Sequence, residues 1–247
     1  GPAAAARPAA PDPSALKPFA DVIKDAKRED GFLPVWRKDE KVWLEIPAER
    51  IGKPFLVSVN IAQSVGERGL YGSQMGPSWM AEFRRVGNNL QLVALNTDFR
   101  GGKDLATRES VRQAFSDSLL GNTAVISAPH PERKSVLVDA SFLLADLPGY
   151  GTRLEAAYRL PYGLDRGNSY FESTRADARI TSLNAKLHFA TPRIPARPMM
   201  PSPVPMPTPP STTPDPRSFF VGTVVNFMAL PESPMRPRET DPRLGHF

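Results

Sequence analysis

The sequence predicts a mainly β domain (α+β at most), built as an antiparallel β-sandwich or a strongly curved sheet with an N-terminal helix and a long proline-rich loop. Three observations lead to this fold class. Apolar and polar residues alternate with a period of two in most apolar segments, as they do in half-buried strands. Polar or Gly-Asn turns separate these segments at short intervals. Finally, eleven of the 28 prolines lie between Pro192 and Pro216, where neither helix nor sheet can form.

Composition narrows the function before any motif is considered. With 247 residues the chain is long enough to bury a sizeable core. It has no cysteine, which excludes disulfides, cysteine-ligated zinc, iron–sulfur clusters and thiol catalysis. The net charge of +5 comes from Lys and Arg interleaved with Asp and Glu, so we expect no nucleic acid as a partner. No apolar segment approaches the ~20 residues of a transmembrane helix, and none is predicted.

Residues 1–17 are predicted to form a disordered spacer, because they are rich in Ala and Pro and poor in large apolar side chains. Gly1 and Pro2 resemble the remnant that a protease leaves when it removes a purification tag. The low-complexity stretch behind them is typical of the region that follows a removed export signal. We therefore expect an exported protein, periplasmic or extracellular.

The first structured element is predicted to be a helix, since Phe19, Val22, Ile23 and Ala26 share one helical face and Gly31 can end it. After it, the apolar period changes to two. GFLPVWRKDEKVWLEIP predicts two strands around a polar turn, PAERIG a single helical turn, and FLVSVNIA a half-buried strand.

A glycine-rich loop, SVGERGLYGSQMGPS, follows this strand. It is not a phosphate-binding loop, because G-K-[ST] and a following helix are missing. Tyr71, Gln74 and Trp79 around the loop are predicted contact residues for a substrate or partner; the simpler interpretation is a flexible connection between strands. Beyond the loop, WMAEFRRV and LQLVALNTDFR bracket Gly87-Asn88-Asn89 and predict a hairpin.

The middle of the chain gives weaker signals. ESVRQAFSDSLL fits a helix, although the tertiary context could override it. NTAVISA and SVLVDASFLL are predicted strands joined by a polar turn, and Asp139 and Asp146 at the ends of apolar runs are candidates for capping or pairing. Residues 150–177 are polar and rich in glycine, so we predict irregular structure there, around the short apolar segment LEAAYRL.

Two further strands, LNAKLHFA and FFVGTVVNFMAL, are predicted to pair as a hairpin whose connection holds the proline-rich loop, residues 191–217. We interpret this loop as solvated surface, with recognition of a partner as the alternative. The β-rich accessory domain then comprises residues 18–190 and 218–235, and residues 236–247 form a linker.

The residues on their own predict no catalytic, cofactor-binding or metal site. His130, His188 and His246 are far apart in sequence, and no pair has the i, i+4 spacing with which two imidazoles of one helix bind zinc. YGSQMG, around Ser73, lacks the spacing of a nucleophile elbow. Paired carboxylates for glycoside hydrolysis require a fold to place them. We therefore assign no catalytic, cofactor-binding or metal residue.

Several segments, taken in order, resemble the N-terminal domain, itself of unknown function, of large bacterial exported zinc-dependent metalloproteases. The segments are FADVIKDAKREDGFLPVWRKDEKVWLEIP, GKPFLVSVNIA, the glycine-rich loop, MAEFRRVGNNLQLVALNTDFR, SVRQAFSDSLL, SVLVDASFLLAD and VVNFMALPESPMRPRETDPRLGHF. The resemblance covers roughly residues 19–147 and 218–247, and its specificity lies in the order of the segments. The proline-rich insert and much of 150–180 match less well.

In such proteins a D-P-R-x-G-aromatic stretch leads directly into a metzincin-like catalytic domain, which carries an H-E-x-x-H helix and a further histidine. Residues 241–245 fit this stretch, and His246 stands where the aromatic residue is expected. The resemblance implies that residues 236–247 lead toward the catalytic domain, in the same precursor or as a second chain. Zinc would belong to that domain and a peptide or protein would be its substrate, while none of the family's zinc ligands has a counterpart in this sequence.

The function expected from the sequence is therefore a non-catalytic accessory domain or subunit of an exported zinc metalloprotease, which packs on the catalytic half and shapes its substrate cleft. The alternative is a stand-alone exported β-sandwich that binds protein or glycan. The accessory domain predicts an exposed apolar patch larger than a monomer normally carries. The stand-alone module predicts a stable monomer with a ligand of its own.

Overall fold

The fold consists of two antiparallel sheets and a few short helices, seen in a computed structural model that describes residues 15–97 and 105–232. The strands are, in chain order, β1 (Lys27–Glu29), β2 (Val35–Lys38), β3 (Lys41–Ile46), β4 (Phe55–Gln63), β5 (Gln74–Val86), β6 (Asn89–Ala94), β7 (Ser118–Ala124), β8 (Val136–Asp139), β9 (Gly163–Asp177), β10 (Ile180–Ala190) and β11 (Ser218–Met228). The helices are α1 (Phe19–Val22), α2 (Leu105–Ala114) and α3 (Tyr150–Tyr158). The small sheet has the order β1-β2-β3-β8, and the large one β7-β6-β5-β4-β11-β10-β9.

The large sheet is strongly curved, like half of a barrel, which confirms the predicted fold class. Its inner face carries the alternating apolar residues of β4, β10 and β11 that the sequence pattern indicated. The small sheet and α3 contribute to the same buried cluster, so both cover this inner face. At its centre the rings of Phe55, Phe83 and Phe227 lie 5.0–6.2 Å apart. Each buried ring stabilises the fold by roughly 1.5–3 kcal/mol relative to exposure.

Hydrogen bonds also join the two sheets at their corners. Beyond β7, Val125 bridges Val138, so the chain passes from the edge of the large sheet to β8. At the other corner the hydroxyl of Thr181 donates to the Leu33 carbonyl oxygen at 2.8 Å, and the Leu33 N–H donates to the same hydroxyl at 3.0 Å. The two sheets therefore form one body around one core.

The hairpins around Gly87 and between β2 and β3, and the single helical turn at Ala48–Arg50, are confirmed. The N-terminal helix is shorter than predicted. It ends at Val22, because Asp25 takes a positive φ of 63° and the chain turns to pair β1 with β2. The predicted apolar face still packs on the protein, since Phe19 is buried and Val22, Ile23 and Ala26 contact its cluster.

The prediction of irregular structure over residues 150–177 is wrong. LEAAYRL lies mostly within α3, and the polar stretch after it is β9, an edge strand of the large sheet. Two smaller corrections concern other segments. The first three residues of SFLL belong to a 3₁₀ helix, Ala140–Leu143, rather than to a strand. The glycine-rich loop ends earlier than predicted, because β5 begins at Gln74.

The proline-rich loop is an insertion in the β10–β11 hairpin, as predicted, because Ala190 and Ser218 are paired across its base. Its second half is held on the protein instead of extending into solvent. The Ser211 hydroxyl donates to Glu67 at 2.6 Å, and the Thr212 hydroxyl donates to the Val65 carbonyl at 2.8 Å. The proline-rich loop is thus fastened to the glycine-rich loop.

The predicted spacer and linker fall largely outside the described residues, which begin at residue 15 and end at residue 232. Of the spacer, Lys17 is described and forms a parallel bridge with Ser127. His246 and the D-P-R stretch belong to the part of the chain that is not described.

Candidate functional site

The side of the large sheet that faces away from the core carries short polar side chains in cross-strand rows over β4, β11, β10 and β9. We call this surface the outer face. In register order, its residues are Asn60, Val224, Asn184 and Ser173 in one row, Ser58, Asn226, Ser182 and the charged Arg175 in the next, and Leu56, Met228, Ile180 and Asp177 in the last, which Met80 extends onto the neighbouring β5.

The polar rows of the outer face are linked by side-chain hydrogen bonds. The Ser182 hydroxyl donates to Asn226 Oδ1 at 2.6 Å, and Asn226 Nδ2 donates to the Ser58 hydroxyl at 3.2 Å. In the neighbouring row, Asn184 Nδ2 donates to the Ser173 hydroxyl at 2.7 Å. These bonds fix short side chains in place, so covering them would cost little conformational entropy.

The other half of the large sheet has a different surface. On β5, Arg84 forms ion pairs with Glu82 at 2.5 Å and with Asp117 at 2.7 Å. Charged side chains of this kind are typical of a sheet surface that stays in water. Among the described residues, the rows named above carry charge only at the β9 edge, on Arg175 and Asp177, and Lys186, 4.0 Å from Glu172, adds charge toward the end of the face.

A line of three side chains lies at the end of the outer face, where β9 bulges. His188 on β10 contacts Asp165 Oδ2 through Nδ1 at 2.9 Å and the Ser218 hydroxyl through Nε2 at 2.6 Å. We call Asp165, His188 and Ser218 the histidine line. Hydrogen bonds from Asn168 and from His188 lower the pKa of the Asp165 carboxyl, so this group is ionised at neutral pH.

The bulge in β9 positions Asp165. Lys186 pairs with Tyr170 while His188 pairs with Asp165, so two steps along β10 correspond to five along β9. The hydroxyl of Ser169 closes the bulge, since it accepts from the His188 N–H at 3.0 Å and donates to the Asp165 carbonyl at 2.8 Å.

A cleft of about 820 Å³ lies beside the histidine line. The rings of His188, Tyr170 and Phe220 form one wall, and the Phe220 ring lies 5.0 Å from His188. Polar groups from elsewhere, among them Lys41 and Asp139, form the rest of the lining. Aromatic surface with a few polar groups is typical of a small-molecule or peptide site.

A second cavity, of about 670 Å³, lies under α1 and is mainly apolar. Phe19, Trp36 and His130 line it, and the His130 ring packs edge-on against Phe19 at 5.0 Å. The Nδ1 atom of His130 accepts from the backbone N–H groups of Glu132 and Arg133 at 3.2 Å. His130 therefore orders its own turn, in a different part of the molecule from His188.

Next to this cavity the carboxylate of Glu45, 1% exposed, accepts several hydrogen bonds. The donors are the Ser135 hydroxyl at 2.6 Å, Arg133 Nε at 2.7 Å, Trp36 Nε1 at 2.9 Å and Arg28 Nε at 3.4 Å. Burial opposes ionisation of Glu45, but the hydrogen bonds from Arg133, Ser135 and Trp36 outweigh it, so its pKa lies below the ordinary value of 4.5. The carboxylate joins β1, β2, β3 and the turn before β8.

The three contact residues predicted around the glycine-rich loop differ in exposure and in the groups that they contact. Tyr71 is 52% exposed and is available for contact. Gln74 is held by Arg153, which donates to its Oε1 at 2.8 Å. Trp79 is partly buried against the core and lines a separate small cavity. Asp139 and Asp146 act as caps, as the sequence suggested: Asp146 Oδ1 accepts from Tyr150 N at 2.6 Å, and Asp139 Oδ1 from Ser141 N at 2.8 Å.

Sequence reasoning missed the histidine line, because Asp165 and Ser218 stand 23 and 30 residues from His188 and meet it only through the sheet. Among residues 15–97 and 105–232, no group of three or more His, Asp or Glu side chains could hold a metal ion. These residues do not fit a zinc site, and we assign no zinc-dependent step to them. In the same ranges, no helix combines the length and the hydrophobicity that a membrane crossing requires.

Comparison with known families gives two matches. The family described as "Domain of unknown function (DUF5117)" matches residues 72–247. This chain belongs to the DUF5117 family. A second family, "Domain of unknown function (DUF5118)", matches residues 16–64. No curated protein and no solved structure matches the chain.

The two families match separate parts of the sequence, but these parts share one sheet. Residues 16–64 include β4, which lies in the middle of the large sheet between β5 and β11 of the DUF5117 match. The buried residues of β4, including Phe55 and Val57, belong to the same core cluster as those of β11. The two matched segments therefore fold as one unit.

Proposed function

We propose that this chain is a non-catalytic accessory domain or subunit of an exported bacterial zinc metalloprotease, and that it packs by its outer face on the catalytic half. The outer face is the observation that carries the proposal. The identity of the partner is inferred from the sequence segments that, taken in order, resemble the N-terminal domains of such proteases. Membership of DUF5117 agrees with it at the level of an N-terminal domain of unknown function.

Short, hydrogen-bonded side chains suit an interface for two reasons. They lose little rotamer freedom when a partner covers them, and they allow the partner's backbone to approach the sheet closely. The apolar members of the last row, Met80, Leu56, Met228 and Ile180, add half-buried apolar surface at one end. The face is thus mixed, with a polar centre and an apolar end, whereas the sequence led us to expect an exposed apolar patch larger than a monomer normally carries.

In this proposal, this chain positions the peptide or protein substrate, and its partner cleaves the peptide bond. A zinc ion in the catalytic half would polarise the scissile carbonyl and activate a water molecule. This chain would provide one wall of the cleft that holds the peptide or protein substrate. The sheet edge at β9 offers a further way to hold an extended peptide, by addition of a strand.

The experiment measures binding between this chain and the polypeptide that the same reading frame encodes after Phe247, which we expect to contain H-E-x-x-H. Asn184→Arg places a long, positively charged side chain in the middle of the outer face. Asn122→Arg makes the same change at an exposed position of β7, on the charged half of the sheet. We expect Asn184→Arg to weaken binding at least roughly tenfold, about 1.4 kcal/mol, and Asn122→Arg to leave it unchanged.

Two results would contradict the proposal: a downstream polypeptide without the zinc motif, or equal affinities for the two variants. The cleft beside the histidine line favours a second candidate in that case, a stand-alone exported module that binds protein or glycan. It predicts a monomer whose ligand contacts Tyr170 and Phe220, so that Phe220→Ala removes binding in a glycan or peptide array.

A further inference from the structure

In the histidine line, hydrogen bonds join a carboxylate to an imidazole and the imidazole to a serine hydroxyl, as they do around an activated serine. Asp165 is ionised, so its Oδ2 accepts a hydrogen bond from the Nδ1–H of His188 at 2.9 Å. With the proton on Nδ1, Nε2 carries a free electron pair and accepts from the Ser218 hydroxyl at 2.6 Å. A serine becomes a nucleophile when its hydroxyl is bonded to an imidazole that is in turn bonded to a carboxylate, and this arrangement occurs in unrelated folds.

The surroundings hold this arrangement in place, and Ser218 is partly exposed, while His188 is the residue of the three that lines the cleft. Asp165 accepts a second hydrogen bond, from Asn168 Nδ2 at 2.6 Å, which orients the carboxylate. The His188 ring packs against Phe220, and its side chain keeps 13% of its surface exposed on the cleft side. Phe220 and Tyr170, 46% and 44% exposed, provide apolar surface where an acyl or aryl group could lie.

Apart from the peptidase reaction, in which this chain has the non-catalytic part described above, we propose that Ser218 is a reactive nucleophile that accepts an acyl group from an ester, with His188 as its base and Asp165 as a positioning residue. In this step Ser218 Oγ attacks the ester carbonyl carbon, and its proton passes to His188 Nε2. The bond from the carbonyl carbon to the leaving oxygen breaks, and the alcohol leaves with the proton from His188. Water then cleaves the acyl-serine by the same route, giving the acid and free Ser218.

Turnover is expected to be slow. The Ser218 N–H, which in many serine enzymes stabilises the oxyanion, donates here to the Asp215 carbonyl at 3.3 Å. Loss of one such donor typically lowers kcat by roughly 10²–10³. Formation of the covalent adduct is therefore a better measure of this site than steady-state hydrolysis.

The test uses an alkyl fluorophosphonate on the purified chain, followed by mass spectrometry of the peptide that contains Ser218. Here Ser218 Oγ bonds to phosphorus, the P–F bond breaks, and fluoride leaves with the serine proton. Ser182 is the matched control, because it is a half-buried serine of the same surface bonded to an amide instead of an imidazole. We expect an adduct on Ser218 and none above background on Ser182.

Variants separate reactivity from folding. His188→Gln should lower the labelling rate roughly 100-fold or more, because it removes the base. Asp165→Asn should also lower it, because an amide no longer holds the proton on Nδ1. Ser116→Ala, which removes an exposed hydroxyl bonded to the Asp117 carbonyl, should leave the rate unchanged, and melting temperatures should stay within a few degrees of the parent chain. Labelling of Ser218 no faster than Ser182, or a rate that His188→Gln leaves unchanged, would overturn the proposal.

Discussion

Replacing Glu45 with glutamine tests whether its buried carboxylate holds the small sheet together. Glutamine keeps the shape of the side chain but replaces one acceptor oxygen by a donor, opposite arginine and serine donors. Removing one partner of a buried ion pair costs about 3–5 kcal/mol when the other charge stays buried. Arg133 and Arg28 are 40% and 28% exposed, so water can hydrate them. We therefore expect a loss of about 2–3 kcal/mol of unfolding free energy.

The assay is urea unfolding followed by tryptophan fluorescence, with thermal melting as a second measure. For a chain of this size the expected loss corresponds to a fall in Tm of about 4–12 °C. Glu40→Gln, the same change at an exposed position of the β2–β3 turn, should alter stability by less than about 0.5 kcal/mol. Equal effects of the two changes would show that the Glu45 carboxylate does not hold the small sheet together.

The same carboxylate gives stability a defined pH dependence. Because the folded state lowers the pKa of Glu45, its contribution is complete above the ordinary value of 4.5 and is lost as pH falls through the folded-state pKa. The difference between the parent chain and Glu45→Gln should therefore be constant at neutral pH and shrink below about pH 4.5. A difference that stays constant from pH 7 down to pH 3 would exclude this origin.

Two further substitutions test local features of the fold by urea unfolding. Asp146→Ala removes the acceptor of the first backbone N–H groups of α3 and should cost about 1 kcal/mol, whereas Asp146→Asn should cost less; equal losses would exclude a cap. Gly76→Ala should cost about 1–3 kcal/mol, because a Cβ there would overlap the Val59 carbonyl oxygen. Gly163→Ala, whose Cβ would lie 4.0 Å from the nearest atom, is the control and should be nearly neutral.

The strands that could be predicted from the sequence are those whose inward residues are apolar without interruption. In β10 every second residue from Leu183 to Phe189 is buried, and the pattern alone located this strand. In β9, by contrast, only Ser169 and Phe171 are buried. An edge strand of this kind is held by its pairing with β10, and its polar sequence resembles a loop. Tertiary contact, not local pattern, decided its structure.

The candidate site could be predicted only in part, for a related reason. Because buried residues alternate along β10, the sequence alone suffices to put His188 on the side away from the core. Its partners depend on the register of three strands and on the bulge at Asp165, which no local pattern specifies. The outer face likewise combines residues from strands that lie far apart in the sequence. Its hydrogen-bonded rows become visible only once β4, β9, β10 and β11 are aligned.

The central claim, that the outer face packs on a protease catalytic half, can be tested directly by oxidative footprinting of methionines. Met80 and Met228 lie on the outer face and are partly exposed in this chain, whereas Met199 in the proline-rich loop is fully exposed. The measurement compares their oxidation rates in this chain alone and in the complete parent protein. If the outer face is covered by the catalytic half, Met80 and Met228 become protected several-fold in the parent while Met199 does not change. Unchanged oxidation of Met80 and Met228 would contradict it.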